Sequence, residues 1–350
     1  MVKSNTKIAV ALSGGVDSAV ALAILNQSFN VHAFTMKLWD DSYPDSLKNS
    51  CFGYGKQEDI DTCKAICEHL NVPYTVIDLS KQFKEQVITP FKACYSSGTT
   101  PNPCVTCNKH IKFGLFIEEA KKHFDFSYFA TGHYANIKEV DGEYYLKRVD
   151  NDKKDQTYFL WQLESNTLSK ILFPLCNFES KDEVRRIAEY YKLPVASKKD
   201  SMSFADGKYC DLFNEASILE GDFTYKGTAI AKHKGIVHYT VGQRAKIPGM
   251  PEKLYIKKIL PMEKEVVLDT LNNIVDNKIS FSYWRESKLF RNPGEILFIK
   301  LKQEGQLIPI SNIEIYPKVV VTIKGKVVST PGQSCAIYNH AGYLVAGGII

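Results

Sequence analysis

No apolar run in these 350 residues reaches the roughly 18–20 needed to cross a bilayer, so a membrane span is not expected. Nothing at the N-terminus sets an apolar core behind positive charge, so an export signal is not expected either. Nine cysteines is an odd count in a long chain without that signal, which argues against a disulfide framework. It favours reduced thiols and a cytoplasmic setting. There is no second Cys-x-x-Cys to complete a metal site, no internal repeat and no low-complexity tract. What is present is apolar content of 44%, enough for large cores, and a length that suggests two or three domains. Lys+Arg 44 against Asp+Glu 39 leaves a mild +5, which favours an anionic partner.

The chain is organised around Ile8-Ala9-Val10-Ala11-Leu12-Ser13-Gly14-Gly15-Val16-Asp17-Ser18. An apolar run ends in a Ser-Gly-Gly turn, and a run suited to a helix follows from Ala19 to Leu25. Glycines let a backbone approach a phosphate, and a helix start offers open N–H groups and partial positive charge. Ser13 and Ser18 add hydroxyl donors. Asp17 cannot bind phosphate directly, so it implies a bridging Mg²⁺. The spacing is neither G-x-x-x-x-G-K-[ST] nor G-x-G-x-x-G. It resembles instead the S-G-G-x-D-S loop of the ATP pyrophosphatases, which split ATP between its α and β phosphates. An ordinary strand–helix turn is the bland alternative.

Further on, strands are expected at Val31–Leu38, Tyr74–Leu79 and 126–134, and helices at Asp59–Leu70, Phe83–Cys94 and Lys181–Tyr191. The alternation predicts an α/β domain with a doubly wound parallel sheet, whose ligands bind at the carboxyl ends of the strands. Met36, Gly132 and His133 fall at such ends. Residues 41–58 read as a polar loop, and Cys63 and Cys67 as a metal pair or, more simply, two small core residues. After about residue 215 the texture changes to short β runs, including Ile236–Thr240, which read as two smaller β-rich modules. The expected domains are 1–215, 216–275 and 276–350.

Thr100-Pro101-Asn102-Pro103-Cys104-Val105-Thr106-Cys107-Asn108-Lys109 carries the thiols of interest. The prolines exclude regular structure up to Pro103, and Lys109 onward looks helical. Cys104 and Cys107 would sit at a helix mouth near Lys109, His110 and Lys112, a setting that lowers a thiol pKa. The rival reading is a metal half-site. Lys154 and Gln156 suit phosphate and base contacts, or a solvated helix cap.

The ordered set resembles the tRNA-specific 2-thiouridylases, which replace O2 of a wobble uridine (U34) with sulfur. The match includes Ala11 to Ser18, Met36-Lys37-Leu38-Trp39, Thr100-Pro101-Asn102-Pro103 and Cys107-Asn108-Lys109. It continues through Ala130-Thr131-Gly132-His133-Tyr134, Lys154-Asp155-Gln156 and His238 to Arg244, to Thr330-Pro331-Gly332-Gln333 and the Gly347–Ile350 end. The resemblance implies an adenine nucleotide α-hydrolase-like domain followed by two smaller β-rich domains. It implies that ATP binds at Ala11, Leu12, Ser13, Gly14, Gly15, Val16, Asp17, Ser18, Met36 and Gly132. Asn102, Pro103 and Cys104 would lie against the target base, and Cys107 would be the nucleophile. His133, Lys154, Asp155, Gln156 and Gln333 would touch tRNA. An upstream sulfur donor, a cysteine desulfurase or a relay protein, would supply the sulfur.

One departure stands out. The family carries a second cysteine in an Ile-Cys-Phe segment after Lys-Asp-Ser, described as a persulfide carrier that forms a transient disulfide with the first. Here the stretch reads Ser201-Met202-Ser203-Phe204-Ala205, which puts Ser203 or Ala205 at that position. Neither can carry a persulfide. Three readings stay open: Cys104 substitutes, Cys210 does, or Cys104 and Cys107, with or without Cys210, hold an iron–sulfur cluster that delivers sulfide. A different class of function is a tRNA-binding, adenylating relative that has lost sulfur transfer. An amidotransferase-type synthetase with the same loop would not need thiols at the pocket.

Overall fold

The computed structural model describes residues 4–40, 42–198, 204–214, 218–291 and 294–350. Lys199 to Ser203, and with them the Ser203 alignment, lie outside the described residues. The chain divides into two compact units, Met1–Val87 with Cys104–Tyr209, and Ile88–Pro103 with Cys210–Ile350.

In the first unit, β1 (Ser4–Ala11) leads through the glycine loop into α1 (Val16–Asn26), and β2 (Phe29–Lys37) follows. Then come α2 (Gln57–Leu70), β3 (Tyr74–Asp78), β4 (Tyr128–Ala130) and, after an inserted hairpin, another strand at Ile171–Leu172. The hairpin pairs β5 (Asn136–Val140) with β6 (Glu143–Lys147), so Ile171–Leu172 is β7. The parallel sheet runs in the order β3-β2-β1-β4-β7. The order reverses between β1 and β4, which marks their carboxyl ends as the switch point where ligands bind. Ile8, Ala9 and Val10 are wholly buried, as strands covered on both faces require. The helix α1 is apolar nearly all round because it is enclosed on every side: Ala19, Val20, Ala21 and Leu22 are fully buried. The helix Lys181–Tyr190 packs Val184 and Ala188 into the same core. Cys63 and Cys67 are part of that core, where burial pushes their thiols up to about 11 and about 12.

The second unit holds the helix Thr89–Ser96 and two antiparallel-rich sheets. The smaller consists of β8 (Gly221–Tyr225), β9 (Thr228–His233), β10 (Arg244–Ala245), β11 (Leu254–Leu260) and β12 (Glu265–Thr270). The larger is built from β13 (Asp276–Ser280), β14 (Tyr283–Glu286), β15 (Leu297–Lys300), β16 (Ile308–Glu314), β17 (Val320–Val327), β18 (Ser334–Asn339) and β19 (Leu344–Ile349). Its order is β13-β17-β16-β15-β18-β19-β14. β13 and β14 are chain neighbours yet occupy opposite ends of that order, so the sheet must curl round on itself.

Three local readings change. Ile236–His238 is a 3₁₀ turn, set by the positive φ of 117° at Gly235, and not a strand. The hairpins β5–β6 and β8–β9 were not anticipated. Asp141-Gly142, with φ 51° and 76°, and Lys226-Gly227, with φ 51° and 79°, are the two-residue turns that signal them.

Candidate active site

At the end of β1 the loop closes on itself. The Ser18 hydroxyl donates to Gly15 O at 3.1 Å and accepts from Ser13 N at 3.1 Å, with Ser13 Oγ also 3.1 Å away. Leu12 is tied to β2, its N–H donating to Phe34 O at 2.8 Å and its carbonyl accepting from Thr35 Oγ1 at 2.8 Å. Gly15 starts α1 with no side-chain cap, and N–H groups at a helix start carry partial positive charge that can take an anion. Gly14 needs both its positive φ, 72°, and its missing side chain, since a Cβ would stand 2.9 Å from Asp59 O. Asp59 is paired with Lys56 at 2.8 Å and with Lys198. Arg185 anchors the Lys198 segment by donating to the carbonyls of Ala196 and Lys198. Two cations therefore flank the glycine turn from segments 42 and 184 residues beyond Gly14, and sequence reasoning assigned neither to the site. Met36 is half-buried at the end of β2.

Gly132, expected beside the nucleotide, packs on the loop's own backbone. A Cβ there would lie 2.7 Å from Ser18 N. Asp17, expected to hold Mg²⁺, has protein partners on both oxygens: Tyr134 Oη donates at 2.6 Å and Lys181 Nζ at 2.7 Å. The Lys154-Asp155-Gln156 motif serves this arrangement. Gln156 brackets Tyr134, its N–H donating to Tyr134 O at 2.9 Å and its Oε1 accepting from Tyr134 N at 3.0 Å. Lys154 Nζ lies over the Tyr134 ring, 5.2 Å from its centre. Asp155 is fully buried, accepts from Thr157 Oγ1 at 2.8 Å and pairs with Arg148 at 3.7 Å. The expectation that Asp155 touches tRNA is therefore corrected, because no part of it reaches the surface.

The thiols sit on a helical stretch that begins at Pro103–Thr106 and continues as a wider π-wound turn, Cys107–Leu115. Cys107 lies inside the helical run, one turn further in than the mouth expected from sequence. Asn108 is buried and donates to Phe159 O at 3.2 Å. Burial pushes the Cys107 thiol up to about 11, and Lys112 only partly offsets it. Cys104 moves the same way for the same reasons. The expectation of lowered thiol pKa values is thus reversed: desolvation outweighs the single cation that acts on them. Cys51 was passed over as part of a polar loop. It lies within electrostatic range of Cys104, Cys107, Lys112 and Lys56. Among the described residues no group of three His, Cys, Asp or Glu is close enough to hold a metal ion. The thiols as arranged do not fit an iron–sulfur cluster.

Lys112 also meets His133, its Nζ 3.5 Å from Nε2. An ammonium only donates, so Nε2 accepts and Nδ1–H donates to Thr131 Oγ1 at 2.7 Å. Burial, seconded by Lys112, holds His133 well below the usual histidine range.

In the second unit three further motifs meet. Thr100 N–H donates to Pro331 O at 2.8 Å, and its hydroxyl to Thr240 Oγ1 at 3.3 Å. Thr330 Oγ1 donates to Val241 O at 3.1 Å. The Gly332 backbone lies against Thr100, and Gln333 O accepts from Ile350 N at 2.9 Å. The turn that carries Gln333 thus braces the segment leading to Asn102 and Pro103. Cys210 belongs to this unit, where its thiol donates to Val237 O at 3.8 Å.

A family model described as tRNA methyl transferase HUP domain matches residues 6–205, and one described as tRNA methyl transferase PRC-barrel domain matches 215–269. The tRNA-specific 2-thiouridylase MnmA 1 of Clostridium tetani is 36% identical across 99% of this chain and 97% of its own length. The tRNA-specific 2-thiouridylase MnmA of Caldicellulosiruptor saccharolyticus is 35% identical across 98% of each. A solved U34-tRNA thiolase, NcsA from Methanococcus maripaludis with its [4Fe-4S] cluster, shares 21% identity over 60% of this chain and 65% of that one, at a TM-score of 0.37. By the family model over residues 6–205 and the end-to-end matches to the two 2-thiouridylases, the chain belongs to the tRNA-specific 2-thiouridylase family.

Proposed function

We propose that this chain adenylates O2 of the wobble uridine of a tRNA with ATP and then replaces that oxygen with sulfur through Cys107. The observation that carries the reading is the placement of Lys112, which meets His133 beside the phosphate loop and lies within electrostatic range of both thiols. Gly132 rests on Ser18 N, His133 follows it in the chain, and Lys112 touches His133 and acts on Cys104 and Cys107. Oxygen on uracil C2 is a poor leaving group, and adenylation converts it into AMP. The loop N–H groups and the α1 dipole would stabilise the departing pyrophosphate. Asp17 is the residue that would hold Mg²⁺, giving up Lys181 to do so. The ion would supply charge neutralisation on the phosphates. The uridine must leave its stack, at a cost of a few kcal/mol, less in a single-stranded loop. Asn102, Pro103 and Cys104 would receive it, and Gln333 would contact the tRNA.

The reading divides labour among a catalytic domain over 1–215, a central tRNA-binding domain over 216–275 and a C-terminal barrel over 276–350. A cysteine desulfurase or relay protein would deliver the sulfur. No helix among the described residues is long and apolar enough to cross a membrane. The test is an assay with purified protein, ATP, Mg²⁺, transcribed tRNA and a persulfide donor, followed by nucleoside mass spectrometry. The expected result is 2-thiouridine at the wobble position. Release of pyrophosphate with no 2-thiouridine would overturn sulfur transfer and leave the adenylating relative, a reading favoured by the serine or alanine, Ser203 or Ala205, at the expected cysteine position.

A further inference from the structure

The glycine turn has a charged neighbour that no step above uses. Asp59 stands in the first turn of α2 and is seated on Gly14, where a Cβ would fall 2.9 Å from Asp59 O and 3.0 Å from Asp59 Cβ. Its carboxylate takes two ammonium groups at once. Lys56 Nζ reaches Oδ2 at 2.8 Å, and Lys198 Nζ reaches Oδ1. One carboxylate against two ammoniums leaves a net positive charge beside the loop. All three side chains are partly covered, Asp59 being 18% exposed, Lys56 25% and Lys198 37%. Burial pushes the Asp59 carboxyl up, but the hydrogen bonds from Lys198 and Lys56 outweigh it and hold the group below the usual carboxylate range. Asp59 is therefore ionised at neutral pH.

The three groups differ in how they are mounted. Asp59 is fixed by α2 and by its seat on Gly14. Lys198 hangs from a segment whose carbonyls, at Ala196 and Lys198, accept from Arg185 at 2.8 and 3.2 Å. Lys56 lies just ahead of α2. A lysine stem is flexible and ends in three rotatable donors, so each ammonium can exchange one acceptor for another while its backbone stays in place. That property suits the phosphate chemistry. When ATP is cut between its α and β phosphates, the bonding electron pair leaves on pyrophosphate, which then carries one more negative charge than it did within ATP. The added charge has to be met as the bond breaks and let go before the next ATP enters. Fixed N–H groups grip the phosphates equally in both states. Ammoniums with a second acceptor beside them can grip and then let go.

Resting on the adenylation half of the reading above, we propose that Lys56 and Lys198 clamp the outer phosphates of ATP and the pyrophosphate made from them, and that Asp59 takes the ammoniums back and so speeds release. Asp59 is a positioning residue: it competes with pyrophosphate for the two lysines and does not itself touch the phosphates.

The first readout is binding of inorganic pyrophosphate with Mg²⁺ to the full chain, by titration calorimetry without tRNA. Lys56→Met and Lys198→Met should each weaken binding about tenfold, the loss of one charge-assisted hydrogen bond. Asp59→Asn keeps the shape, frees both ammoniums and should tighten binding about tenfold. In the Lys56→Met/Lys198→Met background, Asp59→Asn should change nothing. A merely structural cluster would lower the unfolding midpoint without any tightening. Pyrophosphate binding by folded Asp59→Asn that is equal to or weaker than that of the wild type would overturn the release role. Should Asp59→Asn fail to fold, the double lysine variant still decides, because wild-type affinity there would overturn the clamp. The second readout is inhibition of 2-thiouridine formation by added pyrophosphate, expected in Asp59→Asn at about one-tenth of the wild-type concentration; equal inhibition counts against the release role. A wild type that binds pyrophosphate but makes no 2-thiouridine sinks sulfur transfer and leaves the clamp standing. A wild type that binds neither ATP nor pyrophosphate sinks the adenylation reading and the clamp with it.

Discussion

Tyr134 Oη donates a 2.6 Å hydrogen bond to Asp17 Oδ1, joining the strand end after β4 to the first turn of α1. Two motifs far apart in the chain are thereby one device. Gln156 fixes the Tyr134 backbone, and the Tyr134 phenol orients the loop carboxylate. The tyrosine is 3% exposed, so Tyr134→Phe keeps the packing and removes only the donor. A hydrogen bond to a charged group contributes about 1.5–3 kcal/mol. Tyr134→Phe should therefore lower the unfolding midpoint by a few degrees and, with the loop carboxylate no longer oriented, lower kcat/KM for ATP by roughly 10- to 100-fold. Pyrophosphate release at varied ATP measures it.

Gly132→Ala should act at the same junction by a different route. The new methyl would stand 2.7 Å from Ser18 N and 2.8 Å from Asp17 C, both backbone, so either β4 or the start of α1 must shift. Overpacking of this kind costs about 1–3 kcal/mol. The expected outcome is a lower thermal midpoint together with weaker ATP binding, read by scanning calorimetry and by equilibrium binding of a nucleotide analogue. A midpoint equal to the wild type would mean that the contact yields freely.

How much of this was legible depends on whether the signal was local. The strand, glycine turn and helix over 4–26 could be read because apolar continuity and two adjacent glycines are contiguous in the chain. A parallel sheet followed by β-rich modules could be read for the same reason, although the short fifth strand Ile171–Leu172 could not. Lys56, Asp59 and Lys198 could not, since only the fold brings them to Gly14. Cys51 was hidden in a loop with no periodicity. The direction of the thiol shifts was missed because burial is a tertiary property, and the nearby lysines were visible while the covering atoms were not. Asp155 was placed against tRNA only by the family resemblance, yet the fold encloses it completely.

The raised thiol of Cys107 makes a prediction about pH. With a pKa of about 11, its thiolate fraction at pH 8 is roughly one part in a thousand. Alkylation of Cys107 by iodoacetamide should therefore rise about tenfold per pH unit from pH 7 to pH 10. Lys112 lowers this pKa, so Lys112→Met should raise it further and slow alkylation at every pH in that range. Peptide-resolved labelling kinetics provide the readout. A rate that levels off below pH 9 would contradict the burial argument.

Arg148 and Asp155 supply the last prediction, which separates support from recognition. The carboxylate is fully buried and its guanidinium partner lies 3.7 Å away. Removing one member of a buried pair strands the other charge and costs about 3–5 kcal/mol. Arg148→Met should therefore lower the unfolding midpoint clearly. Asp155→Asn, which keeps the shape, should cost less. The double variant should recover part of the loss in Arg148→Met, because the buried carboxylate is then neutral. If Asp155 instead met tRNA, Asp155→Asn would weaken tRNA binding with little change in stability. Thermal unfolding of the three variants, run beside tRNA affinity measured at fixed salt, distinguishes the two roles, and the buried position requires that the stability of the first unit respond while tRNA affinity of the folded protein holds.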